Sequence, residues 1–398
     1  MHQELPLDDI YRNFQLPKIG SSLDSYECME LAWQIAWQGV GGVGINPLVG
    51  AVAVTKEHKF LGAGYHQKIG SDHAEVRLVK NIQASGLVDQ LAQAVIYITL
   101  EPCAHEGHTG SCAKMLASLP LARVVYGLQD ISKKTRGIGP EILRQKGIEV
   151  CKFQGLDDKL QLLLDHFEWY LQTNKPYTGI KVASTLSGAY ASTGSKRLWI
   201  TGKRARAYGH WLRLWYDAIL VGKNTLVLDN PSLNIRALKN HRTPLRVIVD
   251  PSGAGLLSRS LMEHQVINIA PEKTLWCAFD TFWNKLPIEL LEEMDQLGVK
   301  RFAISSKEKS TALEQITDEL GKRHIASLLI EGGSGVWGGF INSKLAKRAH
   351  FFYSLDVCNK ADRLYWMNSI KQEFILSQQN TYMLEQDMLI EGNISYDQ

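Results

Sequence analysis

Two short segments in the first third of the chain contain the residue types of a zinc site. The first is His73-Ala74-Glu75, and the second leads from Glu101-Pro102-Cys103 to Cys112. One imidazole and two thiolates are three protein ligands for zinc, and they leave the fourth tetrahedral position open for water. Bound zinc lowers the pKa of this water towards neutrality and so supplies hydroxide. Glu75 is placed to carry a proton between that water and a leaving amine, which predicts hydrolytic deamination with Glu75 as the catalytic residue.

The order and context of these segments matter more than either segment alone. A single His-x-Glu or Pro-Cys pair is most often structural, but zinc nucleobase deaminases use both together. Both segments lead into predicted helices, whose N-termini favour thiolates. His105 and His108, between the two cysteines, are alternative ligands; we predict a substrate contact for His105 and a solvated position for His108. The remaining cysteines are predicted to be small apolar residues: Cys28, Cys151, Cys277 and Cys358.

The elements that must position these residues alternate between helix and strand. Hydrophobic periodicity predicts a helix over 26–38, a hairpin of strands 49–54 and 59–65, and a helix over 73–81. Further elements are predicted at 94–100, 112–118, 123–127, 140–146 and 149–153. A helical stretch over 156–172 follows, and the alternation restarts at 177. The pattern predicts two α/β domains, with a deaminase domain at 22–154, a linker helix at 155–174 and a second domain at 175–398. The first twenty residues are polar and predicted to be peripheral.

The second half of the chain contains a candidate phosphate-binding turn. The predicted strand 328–330 runs into Glu331-Gly332-Gly333-Ser334-Gly335. A glycine-rich turn before a helix lets backbone N–H groups approach a phosphate closely, although a plain strand-to-helix turn explains these residues equally well. The absence of Gly-x-Gly-x-x-Gly after the first strand disfavours a Rossmann site. Arg206 and Arg213, on the predicted helix 204–215, are either phosphate ligands or solvated ion-pair partners.

Composition excludes several other classes of protein. The chain has 398 residues, of which 45% are hydrophobic and 21% charged, which excludes disordered, collagenous and coiled-coil proteins. A net charge of +3 gives no broad basic surface for nucleic acid or an anionic membrane. No segment approaches the roughly 20 apolar residues of a membrane span, and the first residues lack the regions of a signal peptide. Six scattered cysteines do not form a disulfide framework. We therefore expect a cytoplasmic enzyme that binds neither nucleic acid nor membrane.

The long spacing Cys103-x8-Cys112 is accompanied by other specific segments. They are Asn46-Pro47-Leu48-Val49-Gly50-Ala51-Val52, Gly64-Tyr65-His66, Gly70-Ser71-Asp72-His73-Ala74-Glu75 and Thr99-Leu100-Glu101-Pro102-Cys103. Over roughly residues 25–345 the chain resembles the bifunctional deaminase/reductase family of riboflavin biosynthesis. The resemblance implies an α/β fold with an N-terminal cytidine-deaminase-like αβα layered domain and a C-terminal dihydrofolate-reductase-like α/β domain. It implies zinc-dependent deamination of 2,5-diamino-6-ribosylamino-4(3H)-pyrimidinone 5′-phosphate, followed by NADPH-dependent reduction of the ribosyl side chain to ribityl.

The resemblance also implies roles for individual residues. In the first domain, Asn46 and His105 would lie near the substrate. In the second, the substrate would be held by Arg213, Leu233, Arg236 and Glu331. Residues near the nicotinamide cofactor would be Ala183, Trp199, Thr225 and Asp229, with its phosphates surrounded by Gly333, Ser334, Gly335, Val336, Trp337, Gly338 and Gly339.

Departures from the family pattern are concentrated in the second domain. Thr185-Leu186-Ser187-Gly188-Ala189 stands where the family has Ser-Leu-Asp-Gly-Arg, and Arg197 and Asn224 replace smaller residues. Phe351-Phe352-Tyr353-Ser354-Leu355-Asp356 replaces the family's Ala-Pro strand. In the first domain, Gly110-Ser111 replaces two prolines. Arg197 is either a substitute anchor for the arginine missing at 189 or a solvated charge.

These departures leave alternative functions open. One alternative is a monofunctional deaminase whose second domain serves binding or dimerisation. Another is a nucleic-acid-editing deaminase, which the near-neutral charge and the long cysteine spacing disfavour. The sequence leaves open whether the protein forms a homo-oligomer.

Overall fold

The chain divides into two compact units, Met1–Glu168 and Trp169–Gln398. The structure, a computed structural model, describes residues 6–104, 110–132, 135–192, 199–236, 238, 242–357 and 362–396. The division falls inside a helix, Asp165–Thr173, within the segment that the sequence assigns to a linker.

The first unit is built on one mixed sheet. Its helices are α1 Leu7–Asn13, α2 Ser25–Ala36, α3 Ala74–Ala84, α4 Cys112–Ala117, α5 Ile138–Gln145, α6 Asp157–Gln161 and α7 Asp165–Thr173, which crosses the division. Its strands are β1 Gly50–Val54, β2 Phe60–Tyr65, β3 Val95–Leu100, β4 Arg123–Leu128 and β5 Glu149–Lys152. The strand order is β2-β1-β3-β4-β5, with β1 antiparallel to β2 and β3, and with β3, β4 and β5 parallel.

Helices cover both faces of this sheet. Alternate strand residues such as Ala53 and Ile98 pack with Leu78 of α3 and Leu116 of α4 on one face. On the other face β1 passes so close to α2 that a Cβ on Gly50 would overlap the Ala32 carbonyl oxygen. The predicted αβα layered domain is therefore confirmed, as is the hairpin of β1 and β2.

Two sequence predictions in this unit are wrong. The polar N-terminal segment is not wholly peripheral, because α1 buries Leu7 and Asp8. The single helical stretch predicted over 156–172 is the two helices α6 and α7. The turn between them lies in a run of leucines, and both Leu163 and Leu164 in it are buried.

The second unit is built on a larger sheet. Its strands are β6 Tyr177–Thr185, β7 Ala189–Ser192, β8 Ala218–Gly222, β9 Leu245–Val249, β10 Thr274–Phe279, β11 Lys300–Ile304, β12 Ser327–Ile330, β13 Arg348–Ser354, β14 Arg363–Tyr365, β15 Ile375–Leu384 and β16 Asp387–Ser395. Its helices are α8 Lys203–Trp215, α9 Lys223–Asp229, α10 Gln265–Ile269, α11 Asp280–Trp283, α12 Ile288–Leu297, α13 Lys309–Lys322 and α14 Ser334–Asn342. The strand order is β11-β10-β9-β8-β12-β6-β13-β16-β15, and β7 pairs with β14 separately.

This sheet is parallel except at one edge. Strands β6 and β8 to β13 pair in parallel, whereas β13, β16 and β15 pair antiparallel. Apolar clusters lie on both faces, one with α13 and α14 and the other with α9 and α12. The second α/β domain is confirmed, and the segment that replaces the family's Ala-Pro strand contributes to β13.

Candidate functional site

Three helix and strand ends bring the predicted zinc ligands together. His73 is the N-cap of α3, Cys103 follows β3, and Cys112 is the first residue of α4. His73 Nδ1 lies 3.6 Å from Cys103 Sγ and 3.3 Å from Cys112 Sγ, and the three ligand atoms lie within 4.8 Å of one another. Tetrahedral zinc with ordinary bond lengths separates a nitrogen ligand from a sulfur ligand by about 3.6 Å. Both nitrogen-to-sulfur distances are therefore close to those of a tetrahedral zinc site.

Hydrogen bonds fix the two cysteines relative to each other. The backbone N–H of Cys112 donates to Cys103 Sγ at 3.5 Å, and Ser111 both caps α4 and donates to the Cys103 carbonyl oxygen at 3.1 Å. A hydrogen bond from the Cys112 thiol, with help from His73, lowers the pKa of Cys103 to about 4. The same bond, together with burial, raises the pKa of Cys112. The thiolate is the form that binds metal, so the site is prepared for a cation.

Glu75 lies beside the cluster in the first turn of α3. Its side chain is buried, and it shares a hydrogen bond with the Cys112 thiol. Burial, and next the charge of Cys103, raise the pKa of Glu75 to about 7. A carboxyl group with a pKa near neutrality can accept a proton and return it at physiological pH.

Asn46 reaches this site through a histidine. Its Nδ2 lies 3.2 Å from His66 Nε2, and His66 Nδ1 lies 3.1 Å from the Asp72 carbonyl oxygen. Since a carbonyl only accepts, Nδ1 carries the proton and the Asn46 amide donates to Nε2. The His66 and His73 rings are in edge-to-face contact, with centroids 5.4 Å apart. No role is predicted for His66 from the sequence, although its position directly after β2 is a signal. His105 and His108 lie outside the described residues.

The two residues before Cys103, Glu101 and Pro102, are held in place by contacts with the segment from Asp130 to the start of α5. The Glu101 carboxylate accepts hydrogen bonds from the Gly137 N–H at 2.6 Å and the Asp130 N–H at 3.4 Å. Gly139, in α5, packs on Pro102 so closely that a Cβ there would overlap the Pro102 carbonyl oxygen. The first turn of α5 therefore fixes Pro102, the residue that precedes the predicted zinc ligand Cys103.

Gly139→Ala is expected to weaken zinc binding by about 10- to 100-fold, the usual cost of disturbing groups that orient a metal ligand. The added methyl group must push α5 away from Pro102 and so shift Cys103. Competition with a chromophoric chelator measures the zinc affinity. Glu141→Ala, at an exposed position of the same helix, is the matched control. Equal zinc affinity in the two variants would show that the packing of α5 on Pro102 does not position Cys103.

In the second unit, the glycine-rich turn after β12 meets the start of α9. A Cβ on Gly332 would lie 3.2 Å from the Gly222 backbone nitrogen, and one on Gly333 would lie 3.9 Å from Thr225 Oγ1. Both places are at the carboxyl ends of parallel strands, where α/β sheets bind ligands. Gly333 is the N-cap of α14, whose first backbone N–H groups suit a phosphate.

The other candidate cofactor residues differ in how exposed they are. Ser334, Gly335 and Val336 form the partly exposed first turn of α14, and Ser334 Oγ lies 2.6 Å from the Tyr190 hydroxyl. The next three residues face the body of the unit and are buried: Trp337, Gly338 and Gly339. Ala183 lies near the end of β6, and Asp229 is exposed at the end of α9. Trp199 is 61% exposed, and the Arg206 guanidinium lies 4.7 Å from its ring centroid.

Arg213 is paired with Glu331. Its Nε donates to Oε1 at 2.6 Å and its Nη2 to Oε2 at 2.7 Å, while Nη1 donates to the Asn234 carbonyl oxygen at 2.9 Å. Burial by itself raises the pKa of Glu331, but the charge and hydrogen bonds of Arg213, together with the charges of Lys181 and His210, hold this pKa below its ordinary value. Arg236 is exposed, and Leu233 is buried with a left-handed φ of 49°. Both edges of the Arg213 guanidinium thus donate hydrogen bonds within the protein. Among the four predicted substrate residues, Arg236 is the exposed cation.

Two ionisable residues to which the sequence assigns no role, Lys181 and His210, lie beside this pair. Lys181, on β6, has its pKa lowered by burial. Burial and the Arg213 charge lower the pKa of His210 to about 4, so its imidazole is neutral, and its Nδ1 lies 3.4 Å from the Arg236 backbone nitrogen. A lysine between the apolar Ile180 and Val182 was the available signal for the first. Arg197 lies outside the described residues.

The other cysteines and the helices add two observations. Cys28 and Cys277 are buried and Cys151 is half-buried, all as free thiols, whereas Cys358 lies outside the described residues. Within the described ranges, no helix is both long enough and apolar enough to cross a bilayer.

Known proteins resemble both units. The family profile of the cytidine and deoxycytidylate deaminase zinc-binding region matches residues 24–128, and that of the RibD C-terminal domain matches residues 176–354. The riboflavin biosynthesis protein RibD of Actinobacillus pleuropneumoniae is 33% identical over 341 residues, covering 85% of this chain and 86% of the relative. RibD of Aquifex aeolicus is 31% identical over 365 residues, covering 91% and 96%.

Solved structures agree with these matches. The diaminohydroxyphosphoribosylaminopyrimidine deaminase/5-amino-6-(5-phosphoribosylamino)uracil reductase of Thermotoga maritima superposes with a TM-score of 0.76 at 30% identity, covering 92% of this chain and 98% of that one. One crystal form of Acinetobacter baumannii RibD gives a TM-score of 0.75 at 28% identity, with the same coverage.

Proposed function

Because this chain belongs to the RibD family of riboflavin biosynthesis, we propose that it acts on one phosphoribosyl-pyrimidine at two sites in turn. The first site deaminates 2,5-diamino-6-ribosylamino-4(3H)-pyrimidinone 5′-phosphate to the corresponding aminouracil. The second site reduces the ribosyl side chain of this aminouracil to ribityl. The observation that carries the proposal is the cluster of His73, Cys103 and Cys112 beside the buried carboxyl group of Glu75.

Deamination uses the zinc-ligand cluster and Glu75. His73, Cys103 and Cys112 would hold zinc, which supplies a Lewis acid that makes water nucleophilic near neutral pH. Glu75 takes a proton from the attacking water and delivers it to the leaving amine, so that water is consumed and ammonia released. Asn46 donates its amide to His66, which leaves its carbonyl oxygen as an acceptor for an N–H group of the pyrimidine. We assign His105 a second substrate contact from the family pattern.

Reduction uses the carboxyl edge of the second sheet. Bound NADPH would supply a hydride for the ribose C1′, with cleavage of the bond from C1′ to the ring oxygen and protonation of that oxygen from solvent. The substrate residues are Arg213, Leu233, Arg236 and Glu331, of which exposed Arg236 suits the 5′-phosphate. The cofactor residues are Ala183, Trp199, Thr225, Asp229 and the segment Gly333 to Gly339. The close approach of Gly333 to Thr225 supports a shared cofactor cradle there.

The division of labour follows the two units. We assign deamination to 22–154, a helical linker that comprises α6 and α7 to 155–174, and reduction to 175–398. We place the enzyme in the cytoplasm, because a reducing compartment keeps cysteine ligands such as Cys103 and Cys112 available for zinc. The partner in catalysis is a small phosphorylated pyrimidine, and the reaction needs neither nucleic acid nor membrane.

The test is incubation of the purified protein with the diamino-pyrimidinone phosphate, with and without NADPH, followed by product mass. Without NADPH, we expect one amine to be replaced by oxygen. With NADPH, we expect two further hydrogens and loss of the NADPH absorbance. A zinc-loaded protein that leaves the substrate unchanged would contradict the first step, and a deaminated product that never gains hydrogen would contradict the second.

A further inference from the structure

A buried polar network lies beneath α8 in the second unit. His350 on β13 and Glu391 on β16 are fully buried, and His350 Nδ1 lies 2.8 Å from Glu391 Oε2. Two tyrosine hydroxyls from the α8 region join them: Tyr208 donates to Glu391 Oε2 at 3.2 Å, and Tyr216 lies 2.9 Å from His350 Nε2. Arg348, also fully buried, brings its guanidinium within 3.6 Å of Glu391.

Strand register connects this network to the candidate reductase site. His350 pairs with Lys181 on β6 and with Glu391 on β16, so these residues form one cross-strand row. Neighbouring residues in such a row point to the same face of the sheet. Lys181 is also close enough to Glu331 and Arg213 for their charges to act on it. The row therefore leads from the C-terminal hairpin β15–β16 to the site.

Helix α8 contributes side chains both to the buried network and to the candidate reductase site. Tyr208, Trp211 and Trp215 follow helical spacing and are buried, with Tyr208 against Phe352 and Trp215 against His350. His210 and Arg213 lie on the adjacent stripe, where Arg213 holds Glu331. A rotation or slide of α8 would displace both site residues together.

Stability alone gives little reason to bury these charges. The desolvation cost of a buried ion pair often exceeds its attraction, and apolar side chains of similar volume commonly serve as well or better. Hydrogen bonds between fixed polar groups do specify one helix position, because any other position leaves a buried donor or acceptor unpaired.

We propose that His350 and Glu391 are positioning residues for reduction, which hold α8 through the hydroxyls of Tyr208 and Tyr216 and so set His210 and Arg213 against Glu331. The proposal rests on the assignment of reduction to this unit. It gives the C-terminal hairpin, which lies beyond the matched RibD C-terminal domain, a place in the reductase site.

The test removes only the two hydroxyls, in the variant Tyr208→Phe/Tyr216→Phe. We expect the KM for the aminouracil substrate to rise by about tenfold or more, since small misplacements of site residues have large effects. The KM for NADPH and the deamination rate should stay within about twofold, because neither depends on the α8 residues that hold the aminouracil. Calorimetric binding of the aminouracil to the full-length protein gives a second reading that does not need turnover.

Tyr396→Phe is the matched control. Its hydroxyl donates to the Ala346 carbonyl oxygen at 2.9 Å, beside the same hairpin but outside the network. An unchanged aminouracil KM and affinity in the folded double variant would overturn the proposal, as would an equal effect of Tyr396→Phe. If the double variant is insoluble, each single variant is expected to show a smaller rise, and the absence of a rise in both would overturn it. A wild-type protein that binds aminouracil without reducing it would contradict the reductase assignment. In that case, the aminouracil affinity of the double variant compared with that of the wild type would still decide the positioning role.

Discussion

Cys103→Ala is expected to abolish deamination and to reduce the zinc content to near zero, while reduction of added aminouracil continues. Only two of the three ligands would remain, and two protein ligands hold zinc poorly. The hydrogen bond from the Cys112 N–H to Cys103 Sγ would also be lost, so the start of α4 would lose a contact with the site. Metal analysis together with separate assays of the two activities measures the effect.

Cys151→Ala is the matched control for this variant. Cys151 is a half-buried free thiol on β5 of the same unit, outside the ligand cluster. It should keep zinc and both activities. Full zinc content in Cys103→Ala would instead transfer the ligand role to a histidine between the cysteines, His105 or His108.

Glu75→Gln is expected to keep its zinc and yet lose deamination by about 10²- to 10⁴-fold. The amide has almost the same shape as the carboxyl group and fills the same buried space in α3, but it cannot carry the proton from water to amine. Zinc content, reductase rate and thermal unfolding should match the wild type. Steady-state deamination kinetics at saturating substrate measure the loss.

Glu141→Gln, an exposed carboxyl group in α5, is the control for Glu75→Gln. It should change neither activity. A near-normal deamination rate in zinc-loaded Glu75→Gln would remove the carboxylate from the mechanism and require another proton carrier.

The clustering of His73, Cys103 and Cys112 could be predicted from the sequence because its signals are local. His73 and Glu75 are two residues apart at a helix start, and the two cysteines mark the end of a strand and the start of the next helix. The helix that the apolar stripe predicts over 26–38 is α2, Ser25–Ala36, and a capping box of Asp24 and Glu27 fixes its start. The contact of Asn46 with His66 could not be predicted from the sequence, since it forms only when the residue after β2 meets the turn before β1.

The side-chain contacts of the second unit could not be predicted, because the residues that meet there are far apart in sequence. The sequence left Arg213 either as a phosphate ligand or as a solvated ion-pair partner. Its guanidinium pairs with Glu331, 118 residues away and directly after β12, and the pair is largely buried. The same holds for the row from Lys181 to Glu391, whose members become neighbours only through strand register. Burial of charged residues such as Arg348 also runs against composition-based expectation, because charged side chains are almost never fully buried unless paired.

The strand order of the second sheet has a consequence for synthesis on the ribosome. In the first unit, the strands of the sheet are complete at Lys152, so that unit can fold while the rest of the chain is still being made. Strand β6, by contrast, lies between β12 and β13, and β13 is completed by β16, which ends at Ser395. Strand β6, most of whose residues are buried in the folded unit, therefore has no partner strand until β12 has been made, at Ile330, and an unpaired strand of this kind is a site of aggregation. We expect slower translation or lower temperature to increase the yield of active reductase more than that of active deaminase, and a chain stopped before β16 to retain only the deaminase.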